Sequence, residues 1–201
     1  MGREARRVRR VLTSRAIHAS HTRRCHLPRS RVLIASLFLC LPFAGFAAPA
    51  TMVVRGPAPE FHVRSLAGRD VRLTTLRHQG PVIVEFWGIR CDSCGAELTQ
   101  LEAWRKRYGP SGLSIVAFSV DGPNNVNLVK PYVQRLHIAY PVVMDLRPGM
   151  QERYHASLMP TSYLVDRAGN IDMIRAGFVR GDTEFVARLE AQLPKAAGSG
   201  R

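Results

Sequence analysis

Residues 81–87, Pro-Val-Ile-Val-Glu-Phe-Trp, are apolar on both faces of a strand except at Glu85, and they lead within a few positions into Cys91-Asp92-Ser93-Cys94. A run of that kind with no polar face is a central strand covered by layers on either side. Behind the cysteines, Leu98, Leu101, Trp104 and Tyr108 recur at helical spacing until Gly109-Pro110 stops the pattern. The C-x-x-C therefore falls where a buried strand ends and a helix begins, a junction that points to an α/β architecture.

The remaining pattern supplies further strands and helices. After a Pro-containing entry, residues 61–65 and 71–73 read as short strands about the turn Ala67-Gly68-Arg69-Asp70. Residues 113–120 form a second buried strand. Leu128, Val129, Tyr132, Val133 and Leu136 mark the face of another helix, in which Pro131 implies a late start or a kink. Strands follow at 140–145 and 161–166, and Arg167-Ala168-Gly169-Asn170 turns the chain into a last strand at 171–179. Phe185, Val186, Leu189 and Leu193 place a final helix that ends at Pro194. The expected result is an α/β sheet sandwiched between helices.

The first 50 residues are of another kind. Ten of the 29 Lys and Arg lie there, opposed by Glu4 alone, and they precede an apolar stretch at 32–46 and the small residues Ala48-Pro49-Ala50. Basic, apolar and small segments in that order read as a secretory signal, which exports the domain behind it. No charge occurs between Arg31 and Arg55, so residues 32–54, if uncleaved, are long enough to act as a membrane anchor; Pro42 and Pro49 weigh against that. Leu39 stands before Cys40 where lipidation needs a small residue. The expected organisation is 1–50 as basic leader plus signal peptide or anchor and 51–201 as one domain, its core over 56–193. Within 51–201 nineteen cations face fourteen anions, a surplus that calls for no nucleic acid or other polyanionic partner.

Cleavage would leave Cys91 and Cys94 as the domain's cysteines, in an oxidising compartment. As a structural staple the pair is weak, because a bond across two residues restricts the unfolded chain little. As half a tetrahedral zinc site it lacks a second C-x-x-C or a histidine pair, and His137 and His155 are isolated, so neither metal nor other cofactor is expected. Reversible redox use leads.

A helix start also activates a thiol. Cys91 would meet free backbone amides and the positive end of the helix dipole, both of which favour thiolate. Arg90 acts in the same sense, Asp92 against it, and the Ser93 hydroxyl is placed to donate to the sulfur. Cys94, one turn further in, is placed to attack a mixed disulfide on Cys91 and release the client. Glu85 shares its strand face with Ile83 and Trp87, so its carboxylate is expected in apolar surroundings below the cysteines, with a raised pKa that suits it to move a proton for the inner thiol. The competing reading is a carboxylate paired with a nearby Arg or Lys for stability.

Over 56–193 the chain resembles the thioredoxin superfamily, particularly the exported TlpA/ResA-like thiol:disulfide oxidoreductases. The matching residues are Ala58-Pro59-Glu60-Phe61 with 66–73, Val84-Glu85-Phe86-Trp87-Gly88 leading into the cysteines with Glu97 beyond, 140–145, and 159–166. The resemblance implies a thioredoxin-like fold: a central mixed sheet flanked by helices, with an N-terminal β-hairpin and a βα insertion. It implies that Cys91 and Cys94 are the redox-active disulfide and that Glu85 stands where thioredoxins carry a buried acid. It also implies that Pro160 is cis and lies beside the cysteines, and that Trp87, Met159 and Pro160 meet the substrate, the Met159 backbone pairing with its chain. Arg90, Ser93 and Thr99 depart from the family's second aromatic, its C-x-P-C proline and its helix proline, which bears on redox poise and partner choice.

The expected function is that of a periplasmic or envelope thiol:disulfide oxidoreductase, a reductant of protein disulfides such as those of apocytochrome c or copper-site proteins, recharged by a membrane electron donor. Direction and client rest on the resemblance. An oxidant or isomerase would share every motif. A peroxidase of the peroxiredoxin type is disfavoured by Gly88, where that family has Thr or Ser. From a different class, the alternative is a non-catalytic binding module or copper chaperone on the same fold.

Overall fold

The structure is a computed structural model of the chain and describes residues 50–52, 56–146 and 149–194. The basic leader and the apolar stretch at 32–46 lie outside the described residues. Among the described residues no helix is long and apolar enough to cross a membrane.

In chain order the elements are β1 (Ala50–Met52), β2 (Gly56–Pro57), β3 (His62–Arg64), β4 (Asp70–Arg72), α1 (Leu73–Gln79), β5 (Val82–Trp87), α2 (Cys94–Tyr108), β6 (Ser114–Ser119), α3 (Val126–Arg135), β7 (Val142–Met144), α4 (Met150–Arg153), β8 (Thr161–Val165), β9 (Asn170–Ala176) and α5 (Thr183–Gln192). Strand order in the main sheet is β1-β9-β8-β5-β6-β7, with β2 also on β9, while β3 and β4 form the separate hairpin. β5, β6 and β7 run parallel, and β8 and β9 run antiparallel to their neighbours. The sheet is thus mixed, as expected, and β7 with α4 supplies the βα insertion ahead of β8.

All six residues of β5 are buried, which explains its unbroken apolar run. Ile83 and Trp87 join Leu98, Leu101, Trp104 and Tyr108 of α2, Val129 and Val133 of α3, and Phe185 and Leu189 of α5 on one face. Val82, Val84 and Phe86 face the other way, onto Phe61, Leu73, Phe118, Tyr154 and Tyr163. The two covers are unequal: three long helices on one face, the hairpin and two short helices on the other.

Three local expectations need correcting. Leu128 is 57% exposed, not part of the buried face of α3. Val129 and Val133, four residues apart, hold that face with part-buried Tyr132 and Leu136, and Leu128, about 100° round the helix from Val129, turns outward. Pro131 does not delay α3, which starts at Val126 and runs through it. The last strand also stops at Ala176 rather than 179, because Gly177 turns out of the extended conformation at φ 87° and Pro160 opposite it has no N–H to carry the ladder on. Four elements carried too little pattern to be read: β1, β2 and the short helices α1 and α4.

Candidate active site

Because β5, β6 and β7 are parallel, their carboxyl ends open on one end of the sheet, where ligands of α/β folds gather. The cysteine turn leaves the end of β5. The Ile89 amide donates to both oxygens of buried Asp121 (3.3 and 3.0 Å), and the Ser119 hydroxyl donates to Asp121 Oδ2 at 2.8 Å. The end of β6 thereby clamps the turn. No signal in the sequence marked Asp121 beyond its position just past a buried strand.

Cys91 and Cys94 are joined by a disulfide, their Cα atoms 5.4 Å apart. Cys91 is half-buried and Cys94 fully buried, in the expected order of exposure. The helix begins at Cys94, with Ser93 as its N-cap, so Cys91 occupies the turn before the helix and its amide is engaged by the Gly88 carbonyl. Ser93 Oγ lies 3.8 Å from Cys91 Sγ, and the hydroxyl is the donor because a disulfide sulfur carries no hydrogen. Arg90 and Asp92 are both exposed.

Trp87 has no exposed surface. Tyr132 of α3 stacks on it (centroids 5.7 Å, planes 23° apart), and a Cβ built on Gly95 would meet Tyr132 Oη at 2.5 Å. The residue following Cys94 is therefore small because Tyr132 lies against it. Met159 is half-buried, and the Met159-Pro160 bond is cis. The Thr161 hydroxyl donates to the Leu158 carbonyl at 2.7 Å and holds the turn that presents them.

Glu85 is fully buried, as expected, but its surroundings are not wholly apolar. Glu85 pairs across the sheet with Ser162, and Ser162 with Arg175, so the three form a polar row over β5, β8 and β9. The Ser162 hydroxyl donates to Glu85 Oε2 at 2.5 Å and accepts from Arg175 Nη2 at 2.9 Å. The same Nη2 donates to Glu97, three residues beyond Cys94 on the inward face of α2, and Nη1 approaches Asp182 Oδ2 at 3.4 Å. Arg175 is fully buried with its guanidinium over Phe185 and Trp104, 4.6 and 5.4 Å from the ring centroids. Both readings of Glu85 thus have a structural basis: the carboxylate is buried, and it reaches a cation, but through a hydroxyl.

One cation stands among three carboxyl groups here. Burial raises the Glu85 pKa well above its usual value and the Glu97 charge raises it further, against the Ser162 hydrogen bond and the Arg175 charge. Burial pushes Glu97 up to about 7, opposed by the charge and hydrogen bond of Arg175. The row can therefore hold a proton in the neutral range. In the sequence Glu97 is marked only by its place in a motif, and Arg175 is not marked at all, because a lone Arg in an alternating strand looks like an exposed position. Among the described residues no group of three His, Cys, Asp or Glu side chains gathers to hold a metal ion.

Residues 54–174 match the AhpC/TSA family. The thiol-disulfide oxidoreductase ResA of Geobacillus thermodenitrificans is 30% identical over 146 residues, covering 73% of this chain and 82% of the relative. The protein of that name in Bacillus subtilis is 27% identical, covering 73% and 80%. A solved structure titled a putative thiol:disulfide interchange protein DsbE, from Chlorobium tepidum, superposes with a TM-score of 0.62 over 70% of this chain and 97% of that one at 23% identity, a likeness of fold. The chain belongs to the AhpC/TSA family and, within it, to the ResA type of thioredoxin-fold thiol-disulfide oxidoreductase.

Proposed function

We propose that Cys91 and Cys94 form a reversible dithiol couple that reduces protein disulfides outside the cytoplasm, with Glu85 as the group that moves the proton of Cys94. The observation that carries this reading is the graded burial of the bonded pair, Cys91 half-open and Cys94 closed, at the strand–helix junction, with Cys94 packed on the face of β5 that carries Ile83, the buried Glu85 and Trp87. In the reduced protein the Cys91 thiolate attacks a client disulfide. A mixed disulfide forms and one client sulfur leaves as a thiolate. Cys94 then gives its proton to Glu85 and attacks Cys91 Sγ, the bond to the client breaks, and the second client sulfur departs with the electron pair. The client gains two electrons, its two thiolates take up one proton from Glu85 and one from solvent, and the enzyme is left as the disulfide.

The client's chain is proposed to lie along Met159, whose backbone amide and carbonyl take no partner among the described backbone groups, and against cis-Pro160. Trp87, being buried, serves as the floor of the site, and part-exposed Tyr132 is the aromatic that a client can touch. The clients proposed are exported proteins whose cysteines must be reduced before they take haem or copper, and the electron donor proposed is a membrane protein. The leader would deliver or anchor the domain in the periplasm or cell envelope.

Trapping tests this reading. The full chain with Cys94→Ala should accumulate Cys91-linked mixed disulfides with envelope proteins, and loss of all adducts only on Cys91→Ser would confirm the attacking sulfur. A reductant should show a midpoint potential below about −200 mV, and one near −120 mV would make the protein an oxidant. Stoichiometric copper binding without disulfide reductase activity would favour the chaperone alternative.

A further inference from the structure

The polar row contains more than the proposed mechanism uses. A single proton-moving carboxylate beneath Cys94 needs neither a second acid nor a buried guanidinium, yet both are present. The register aligns Glu85, Ser162 and Arg175 on one face of three adjacent strands, and α2 lowers Glu97 onto the end of that row one turn after Cys94. Arg175 Nη2 touches Glu97 and the Ser162 hydroxyl together, while the Ser162 hydrogen points to Glu85. A serine oxygen that accepts from a guanidinium becomes a stronger donor on its other side. The charge of Arg175 therefore acts directly on Glu97 and, through Ser162, on Glu85.

We propose that Arg175 and Ser162 are positioning residues for the thiol exchange: Arg175 favours the anion at Glu97, the carboxylate it touches directly, and, through the Ser162 hydroxyl, sets the pH at which Glu85 can accept the proton of Cys94. The inference rests on the proposed role of Glu85. The chemistry follows from counting charges. One guanidinium balances one carboxylate, and Glu97, in direct contact, is that carboxylate. Glu85, reached only through a hydroxyl, is the site where a proton is gained and lost. Asp182 is a weaker claimant on the guanidinium, since its other oxygen caps α5 by accepting from the Phe185 amide at 3.0 Å.

The ionisable groups facing this row are few. Glu97 comes from α2, Arg175 from β9 and Asp182 from the cap of α5. Tyr140, ahead of β7, donates to the Leu98 carbonyl at 3.1 Å, and its phenol is held neutral by burial and then by Glu85 and Glu97. Tyr163, next to Ser162 on β8 but on the opposite face, has its pKa raised to about 12 by burial and then by Glu85. Neither tyrosine changes charge in the neutral range, which leaves the two glutamates.

The experiment uses the full chain in detergent, with Cys25→Ser and Cys40→Ser so that only the pair reacts. An aromatic disulfide that releases a coloured thiolate reports two steps. The first release reads attack by Cys91, and the second reads resolution by Cys94. The rate of the second release should rise with pH through one inflection, and Glu85→Gln should abolish it. Ser162→Ala and Arg175→Met each remove an influence that lowers the Glu85 pKa, so each should move the inflection up by about one pH unit. Arg175→Lys, which keeps the charge, should bring it back towards wild type. Ser162→Ala removes a single hydroxyl and decides the matter even if Arg175→Met does not fold. An inflection unmoved by Ser162→Ala but lost in Glu85→Gln overturns this inference and leaves the role of Glu85 standing. An inflection that survives Glu85→Gln overturns both.

Discussion

Arg175→Met should make stability depend on pH in a way the wild type does not. Glu97 has a folded-state pKa of about 7 against 4.5 for the free side chain, so its protonated form is favoured by folding. The stability linked to that proton is fully present below the unfolded value and is lost as pH rises towards 7, at about 1.4 kcal/mol per unit. Above 7 both states are ionised and the wild-type loss stops. Arg175 is what stops it there, because its charge and hydrogen bond are the chief influences that oppose burial. In the methionine variant the loss continues, and the gap from wild type should widen by about 3 kcal/mol between pH 7 and 9, comparable with breaking a buried ion pair. Glu85, which Arg175 also pulls down, adds in the same direction. Methionine keeps much of the packing over Trp104 and Phe185, so the part of the gap that does not vary with pH should be the smaller one. Urea unfolding of the oxidised protein, followed by the fluorescence of buried Trp87 and Trp104 at several pH values, measures this. Arg188→Met, which removes a surface partner of Asp172, should show no widening. Parallel curves for Arg175→Met and wild type would refute the claim that this cation fixes the protonation of the row.

Two further substitutions probe how the site is held. Asp121→Ala leaves the Ile89 amide and Ser119 hydroxyl without their acceptor, which should cost about 1–3 kcal/mol and speed hydrogen exchange at Ile89; unchanged exchange there would mean the clamp does not hold the cysteine turn. Gly95→Ala should gain up to about 1 kcal/mol in helix propensity but push Tyr132 off Trp87, giving a net loss of stability and altered Trp87 emission. Combining it with Tyr132→Phe, which removes the clashing hydroxyl, should recover the propensity gain, and a double variant as unstable as Gly95→Ala would exclude the contact as the cause.

What could be read from the sequence depended on how many residues carried each signal. β5 and α2 were legible because every position of the strand and four of the helix repeat one message: buried on both faces, then buried every three or four residues. β1, β2 and α4 span two to four residues and offer no period to detect. The outward turn of Leu128 is not legible in the sequence because five apolar residues in one helix look like one stripe, whereas 3.6-residue geometry buries only some of them. The site divided along the same line. Cys91, Cys94 and Glu85 stand out within one contiguous segment. Asp121, Tyr132, Ser162 and Arg175 reach it from four other elements, and only the strand register and helix packing bring them together.

The proposed couple sits between two opposed local fields, and its direction follows from their sum. At Cys91 the field favours an anion. Ser93 is the N-cap of α2, where a serine side chain ordinarily accepts from a helix amide, yet it makes no such bond, and its hydroxyl lies 3.8 Å from the sulfur. A proline at that position could not donate. At Cys94 burial opposes an anion, and the row adds to this once its glutamates are ionised. A thiolate stabilised in the reduced protein makes the disulfide a stronger oxidant, and a thiolate opposed there makes the dithiol a stronger reductant. Ser93 thus draws the couple one way and the acidic row draws it the other. Arg175 is placed to govern the balance without touching either sulfur, since it decides how much negative charge the row presents to Cys94.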